Sequence, residues 1–175
     1  MHCGHLVEQA HDSALCHHGA MDVERMEVSR QIGARADEIF ALLCDPQGHV
    51  KIDSSGMLIS AEGESVARVG DRFVVHMDRE ALNDYPLGRY DVTIEIVVFE
   101  TDRELAWRVR GQLDLGHVYG YRLEPNAEGT LVTSYYDWSG ISDEWRESGV
   151  FPVLQPSALR ATLGILARSV ASESR

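Results

Sequence analysis

Aromatic and imidazole side chains recur at alternate positions through the middle of this sequence, and their spacing is what suggests chemistry. Tyr90, Trp107, His117, Tyr119, Tyr121, Tyr136 and Trp138 each sit in a run where apolar and polar residues alternate. Residues two apart in a strand share a face. His117, Tyr119 and Tyr121 in HVYGYRLEP therefore project together, as do Tyr136 and Trp138 in TLVTSYYDWSG. Phenol, indole and imidazole tips give an otherwise apolar wall a few hydrogen-bonding points, the mixture that orients a flat or greasy ligand. Proton transfer needs a group that titrates near the working pH. His117 and His49 are the imidazoles placed for it, and Tyr121 offers a phenol that can hydrogen-bond a developing enolate. Each has a plainer reading. The aromatics serve equally as core packing with satisfied tips, His117 as a strand-end residue at a sheet rim, and His49 as part of the turn chemistry of DPQGHVKID.

The elements that would position these groups follow from periodicity. VERMEVSRQI, residues 23 to 32, reads as a first strand through Val23, Met26, Val28 and Ile32. A helix of about two turns follows, from Asp37 to Cys44, with Ile39, Phe40, Leu42 and Leu43 as its apolar face. Asp37 and Glu38 favour its N-terminal end, and Pro46 ends it through its bias on Asp45. From Gly56 to Ile141 the pattern is a meander of antiparallel strands. GDRFVVHMD places Phe73, Val75 and Met77 on one face, and RYDVTIEIVVFE places Tyr90, Val92, Ile94, Ile96 and Val98 inward. ELAWRVRG sends Leu105, Trp107 and Val109 in and Arg108 and Arg110 out. In TLVTSYYDWSG the set Val132, Ser134, Tyr136 and Trp138 is preferred as the inner one. Pro156 suits a first helical position, and Leu159, Leu163, Leu166 and Val170 give the helix after it a long apolar stripe that covers the sheet.

Length and charge exclude some functions. A chain of 175 residues fits one domain, with residues 22–175 as that domain and residues 1–21 as a mobile tail. That tail, rich in His and Cys, holds His2, Cys3, His5, Cys16, His17 and His18. Their spacing only loosely resembles that of structural zinc sites, so a tail is preferred over a metal centre. A formal charge of −12 with Lys51 as the sole lysine argues against nucleic acid as a partner. Three cysteines without repeated spacing suggest a reducing cytoplasm, and no stretch is apolar for long enough to span a membrane. No P-loop, Rossmann glycine pattern, GxSxG elbow, HExxH or paired CxxC occurs. The expectation is therefore no metal and no cofactor. Asp53, Ser54, Ser55 and Gly56 read as a turn ahead of an anion or hydroxyl site. Trp145, in a polar connection, is either a gate or a packed loop anchor.

The segments ADEIFALLCDPQGHVKIDSSG, YRLEPNAEGTLVTSYYDWS and PSALRATLGILARSV resemble, respectively, the helix-and-DP segment, last hairpin and closing helix of the SRPBCC superfamily. That superfamily includes START domains, the birch-pollen allergen group and the polyketide cyclase/dehydrase group. The resemblance covers residues 23 to 172, with the cyclase-like branch as the nearest. It implies an α+β helix-grip fold. About six or seven curved antiparallel strands would wrap a long C-terminal helix, with one or two short helices after the first strand. A sheet so curved leaves a gap under the helix. The short helix and the PQGHVKID turn would close its end. A pocket lined by Tyr90, Ile94, Trp107, His117, Tyr119, Tyr121, Tyr136, Trp138, Leu159 and Leu163 would bind a hydrophobic or aromatic, polyketide- or lipid-like molecule. The alternatives are a polyketide cyclase, aromatase or dehydratase, in which His117, Tyr121 and His49 take the chemical roles, and a ligand-free interaction module. Ligand identity and oligomeric state are left open.

Overall fold

Strict alternation builds one antiparallel sheet, and the computed structural model describes it over residues 24–80, 87–111 and 114–173. The tail expected at residues 1–21 lies outside the described residues. The strands are β1 (Arg25–Ile32), β2 (Leu58–Glu62), β3 (Arg72–Asp78), β4 (Arg89–Glu100), β5 (Glu104–Arg110), β6 (Val118–Asn126) and β7 (Gly129–Asp137). The helices are α1 (Ala36–Cys44), α2 (Pro46–Ile52), α3 (Asp143–Glu147) and α4 (Pro156–Glu173). The sheet order is β1-β7-β6-β5-β4-β3-β2, so β1 pairs with the last strand and the α1–α2 pair carries the chain from one sheet edge to the other. This is the curved seven-stranded helix-grip arrangement.

The inner face follows the parity of the sequence, with one exception. Phe73, Val75, Ile94, Ile96, Leu105, Tyr121, Leu123, Val132 and Tyr136 are all buried. In β4 the register shifts between Ile96, opposite Trp107, and Val98, opposite Ala106. Val97 is the extra residue, and such a bulge exchanges the two faces beyond it. Phe99 therefore turns inward where Val98 was expected, and its ring meets Phe40 of α1 edge-on at 5.3 Å.

The segment after α1 is the second of the short helices expected after the first strand and departs only from the turn reading of PQGHVKID. PQGHVKID is mostly helix, because Asp45 caps it by accepting from the Gln47 amide at 3.0 Å and Pro46 supplies its first position. Pro46 thus ends one helix and starts the next. The last three carbonyls of α1, orphaned by the helix end, find donors. Leu42 accepts from the Asp45 amide at 3.3 Å, Leu43 from His49 Nε2 at 2.8 Å, and Cys44 from the Val66 amide at 2.9 Å. Gln47 Nε2 donates to the Ala61 carbonyl of edge strand β2, which ties α2 to that edge. On the same concave face, α4 buries Leu159, Leu163, Leu166 and Val170 as its spacing indicates.

The outer face carries a charged ladder. Tyr135 lies buried between the guanidinium groups of Arg25, 4.3 Å from its ring, and Arg122, 5.7 Å away, and its hydroxyl donates to Glu104 at 2.7 Å. The ring fits because its neighbour on β6 is Gly120, where a Cβ would stand 2.3 Å from Tyr135 Cζ. Gly120→Ala should therefore displace the ring and destabilise the fold by about 1–3 kcal/mol. Urea unfolding of the variant checks this.

Candidate ligand-binding cavity

The inner face divides into a solid half and a hollow one. Where α1 and the middle of α4 press on the sheet, Phe40, Phe99, Leu105, Leu123, Val132, Leu163 and Leu166 interlock as continuous core. Toward the β3–β4 hairpin and the start of α4 the wall instead encloses a cavity of about 490 Å³, within the range of small-molecule sites. Strands β3 to β7 supply Val75, Met77, Tyr90, Val92, Ile94, Trp107, Val109, Tyr119, Tyr121 and Ser134. Helix α2 and the turn after it supply His49, Ile52, Asp53, Ser54 and Ser55. Val153, Leu154, Ala158, Leu159 and Thr162 close the other side. Ser54 pins the turn to α4, its Oγ donating to the Ala158 carbonyl at 3.0 Å and lying 2.9 Å from Thr162 Oγ1.

Of the residues singled out from sequence, Tyr90, Ile94, Trp107, His117, Tyr119, Tyr121, Leu159 and His49 stand in this wall, as does Asp53. Tyr136, Trp138 and Leu163 do not. Tyr136 is fully buried behind Tyr119, the two rings stacked at 4.5 Å and 12°, and Trp138 packs on Tyr136 at 5.1 Å. Leu163 belongs to the solid half. Trp145, half-buried in α3, is not part of the wall, so it does not gate the cavity in this conformation. Arg79, Arg89 and Thr162 line the cavity without having been singled out. Arg79 continues the parity of Phe73, Val75 and Met77, and Thr162 follows Leu159 by three residues on the helix, so periodicity held the signal for both.

Aromatic rings run across the wall from strand to strand. Trp107 lies 6.2 Å from Tyr119 at 28° and 5.8 Å from Tyr121 at 34°. His49 meets Trp107 edge-on at 4.8 Å and Phe73 at 5.2 Å, with Nε2 held by the Leu43 carbonyl. His117 sits among Tyr119, Tyr136 and Phe151, its centroid 5.1, 5.7 and 5.6 Å from theirs, and its buried Nδ1 has no hydrogen-bond partner. It is packed rather than exposed at a rim.

Burial disfavours the charged form of each group. It pulls His49 down to about 4, against the Leu43 hydrogen bond and nearby Asp45, and pulls His117 to about 4 as well. Tyr119 is pushed well above its ordinary value by burial and by the adjacent Tyr136 phenol. Tyr121 is pushed up by burial, with Ser134 opposing and Asp53 reinforcing. At neutral pH the imidazoles are therefore uncharged and the phenols protonated. The turn reading of Asp53 holds locally. Its Oδ1 accepts from the Ser55 amide at 2.9 Å and Ser55 Oγ at 2.6 Å, and its Oδ2 from the Leu58 amide at 3.2 Å. The same carboxylate also faces the cavity.

No family model matches the sequence, and no curated protein matches it. Solved structures do match. The chain is similar to an AHSA1-like protein from Aeromonas hydrophila, at 17% identity and TM-score 0.56 over 86% of this chain and 94% of that one. It is similar to a protein of Nitrosomonas europaea, at 14% identity and TM-score 0.63 over 87% and 97%. A third likeness is a Thalictrum norcoclaurine synthase point mutant in complex with a transition-state analogue, at 15% identity and TM-score 0.56 over 86% and 96%. These likenesses are of fold, and the fold they share with this chain is the helix-grip arrangement of a curved sheet and a long C-terminal helix. No helix among the described residues is long and apolar enough to cross a membrane.

Proposed function

We propose that this protein binds a hydrophobic or aromatic small molecule in the cavity between the sheet and α4. The observation that carries the reading is the combination of hollow and wall: about 490 Å³, lined mainly by aliphatic and aromatic side chains with a few polar tips. The imidazole and phenol tips among them are neutral at physiological pH and suit hydrogen bonding to a ligand better than proton transfer. A general acid or base works best with a pKa near the operating pH, whereas His49 and His117 lie at about 4. Binding is therefore preferred over the cyclase, aromatase or dehydratase alternative. The open interior disfavours the ligand-free module.

The test uses Nile red, a neutral hydrophobic dye that brightens on leaving water. It should bind saturably with one site per chain. Ala158→Trp, which extends an indole from α4 into the space, should weaken binding at least about tenfold, some 1.4 kcal/mol, while the fold persists by circular dichroism. Dye binding that never saturates, or that ignores the substitution, would overturn the reading.

A further inference from the structure

The cavity wall holds four formally charged side chains, Asp53, Asp91, Arg79 and Arg89. Three of them have partners beyond their own turn. Asp91 accepts from His76 Nδ1 at 2.7 Å, Arg89 donates to Asp78 at 3.3 Å, and Arg79 Nη1 reaches Met57 Sδ at 3.6 Å. Asp53 differs. It receives only the two amides and one hydroxyl of its own turn, and among the described residues no cation pairs with it. Each carboxylate oxygen keeps acceptor capacity beyond those three bonds. The same wall carries ring faces that attract cations: the Asp53 charge is near enough to the Tyr121 phenol to raise it further, and Trp107 stands 5.8 Å from Tyr121. A carboxylate that shares an apolar wall with indole and phenol rings favours an ammonium group over a neutral or anionic head. The overall charge of −12 draws cations toward the protein as well.

We propose that the cavity selects an organic cation, a hydrophobic or aromatic amine whose ammonium group pairs with Asp53 and lies against Trp107 and Tyr121. This rests on the reading of the cavity as a ligand site and names the class of ligand. The body of the amine fills the aliphatic space bounded by Val75, Ile94 and Leu159. Arg79 and Arg89 stand nearer the β3–β4 hairpin, and they make the opposite case testable: if they governed selection, a carboxylate would be preferred.

Three probes that share one ring system and differ in the charge of the head decide the matter: naphthylethylammonium, naphthylethanol and naphthylpropanoate, each measured by calorimetry or Nile red displacement at neutral pH. The wild-type protein should rank them ammonium, alcohol, carboxylate, with at least about tenfold between first and last. Asp53→Asn keeps an acceptor for Ser55 and should bring the ammonium and carboxylate to within about threefold of one another. If that variant does not fold, the wild-type ranking alone carries the test. A carboxylate bound as tightly as the ammonium overturns the cation assignment and leaves the cavity reading standing. Failure of all three to bind overturns both.

Discussion

Acidification from pH 7.5 to 4.5 should remove about 5 kcal/mol of stability, with nearly all of the loss above the range in which carboxylates titrate. His49 and His117 are the source. Each falls from an ordinary 6.5 to about 4 in the folded protein, with burial as the leading cause. The folded pKa lies below the unfolded one, so between these values the unfolded chain binds more protons. Stability is then fully present above pH 6.5, drains as the pH falls through the window, and stops draining below about 4. Two histidines at about 2.5 kcal/mol each by pH 4.5 rival the whole stability of a marginal domain, typically about 5–15 kcal/mol. Asp71, Asp78, Glu95 and Asp137 are held below their usual range by hydrogen bonds and arginines. Their contribution is lost only at lower pH, so the two sets separate on the axis. His76, raised by Asp91 and Glu62, has the opposite sign and loses its small, exposed contribution as the pH rises. Urea unfolding at half-unit intervals from pH 7.5 to 4.5 measures the slope. His117→Phe should flatten it by one proton and leave neutral-pH stability unchanged or improved, since an unpartnered buried nitrogen goes with the ring. His49→Phe should flatten it equally but cost about 1–3 kcal/mol at neutral pH, because the Leu43 carbonyl loses its donor. A His117→Phe slope identical to wild type would sink the account.

Parity rules carried most of the site, and their failures have physical causes. Alternation placed Trp107, Tyr119 and Tyr121 on one face because β5 and β6 are regular, with an unbroken register between them. It failed at Val98 because a bulge adds one residue to β4, and nothing in RYDVTIEIVVFE marks which residue is extra. Parity also names a face without naming depth. Tyr136 and Leu163 do point inward, but one is screened by Tyr119 and the other lies under the solid half of the sheet. That boundary depends on where α1 and α4 press, a matter of tertiary packing that no local pattern encodes. Arg79 escaped notice because a charged residue at the end of an inward row reads as the strand leaving the core. Proline and glycine favour a turn reading of PQGHVKID. Both residues serve a helix here: Pro46 starts α2, and Gly48 lets α2 lie against the end of α1.

Gly48→Ala should be the most damaging single-methyl change in the α1–α2 pair. Helix propensity alone predicts the reverse, since alanine inside a helix is favoured over glycine by about 1 kcal/mol. The local packing overrides it. A Cβ at Gly48 would stand 1.9 Å from the Leu42 carbonyl oxygen and 3.0 Å from its carbon, and both atoms are backbone, so no rotamer change relieves the contact. Helix α2 must retreat from α1. Retreat lengthens the His49–Leu43 hydrogen bond and draws His49 off Phe73 and off Trp107 of the cavity wall. Overpacking of about 1–3 kcal/mol and the loss of a buried hydrogen bond of similar size together exceed the propensity gain. The expected net loss is at least about 2 kcal/mol, with weakened Nile red binding because the wall moves. Gly33→Ala is the control, since no atom lies within 4 Å of its added methyl. Equal stability of Gly48→Ala and wild type in urea would show that α2 does not rest on α1 in this way. The link from the DPQGH sequence through helix contact to cavity shape would then be broken at its first step.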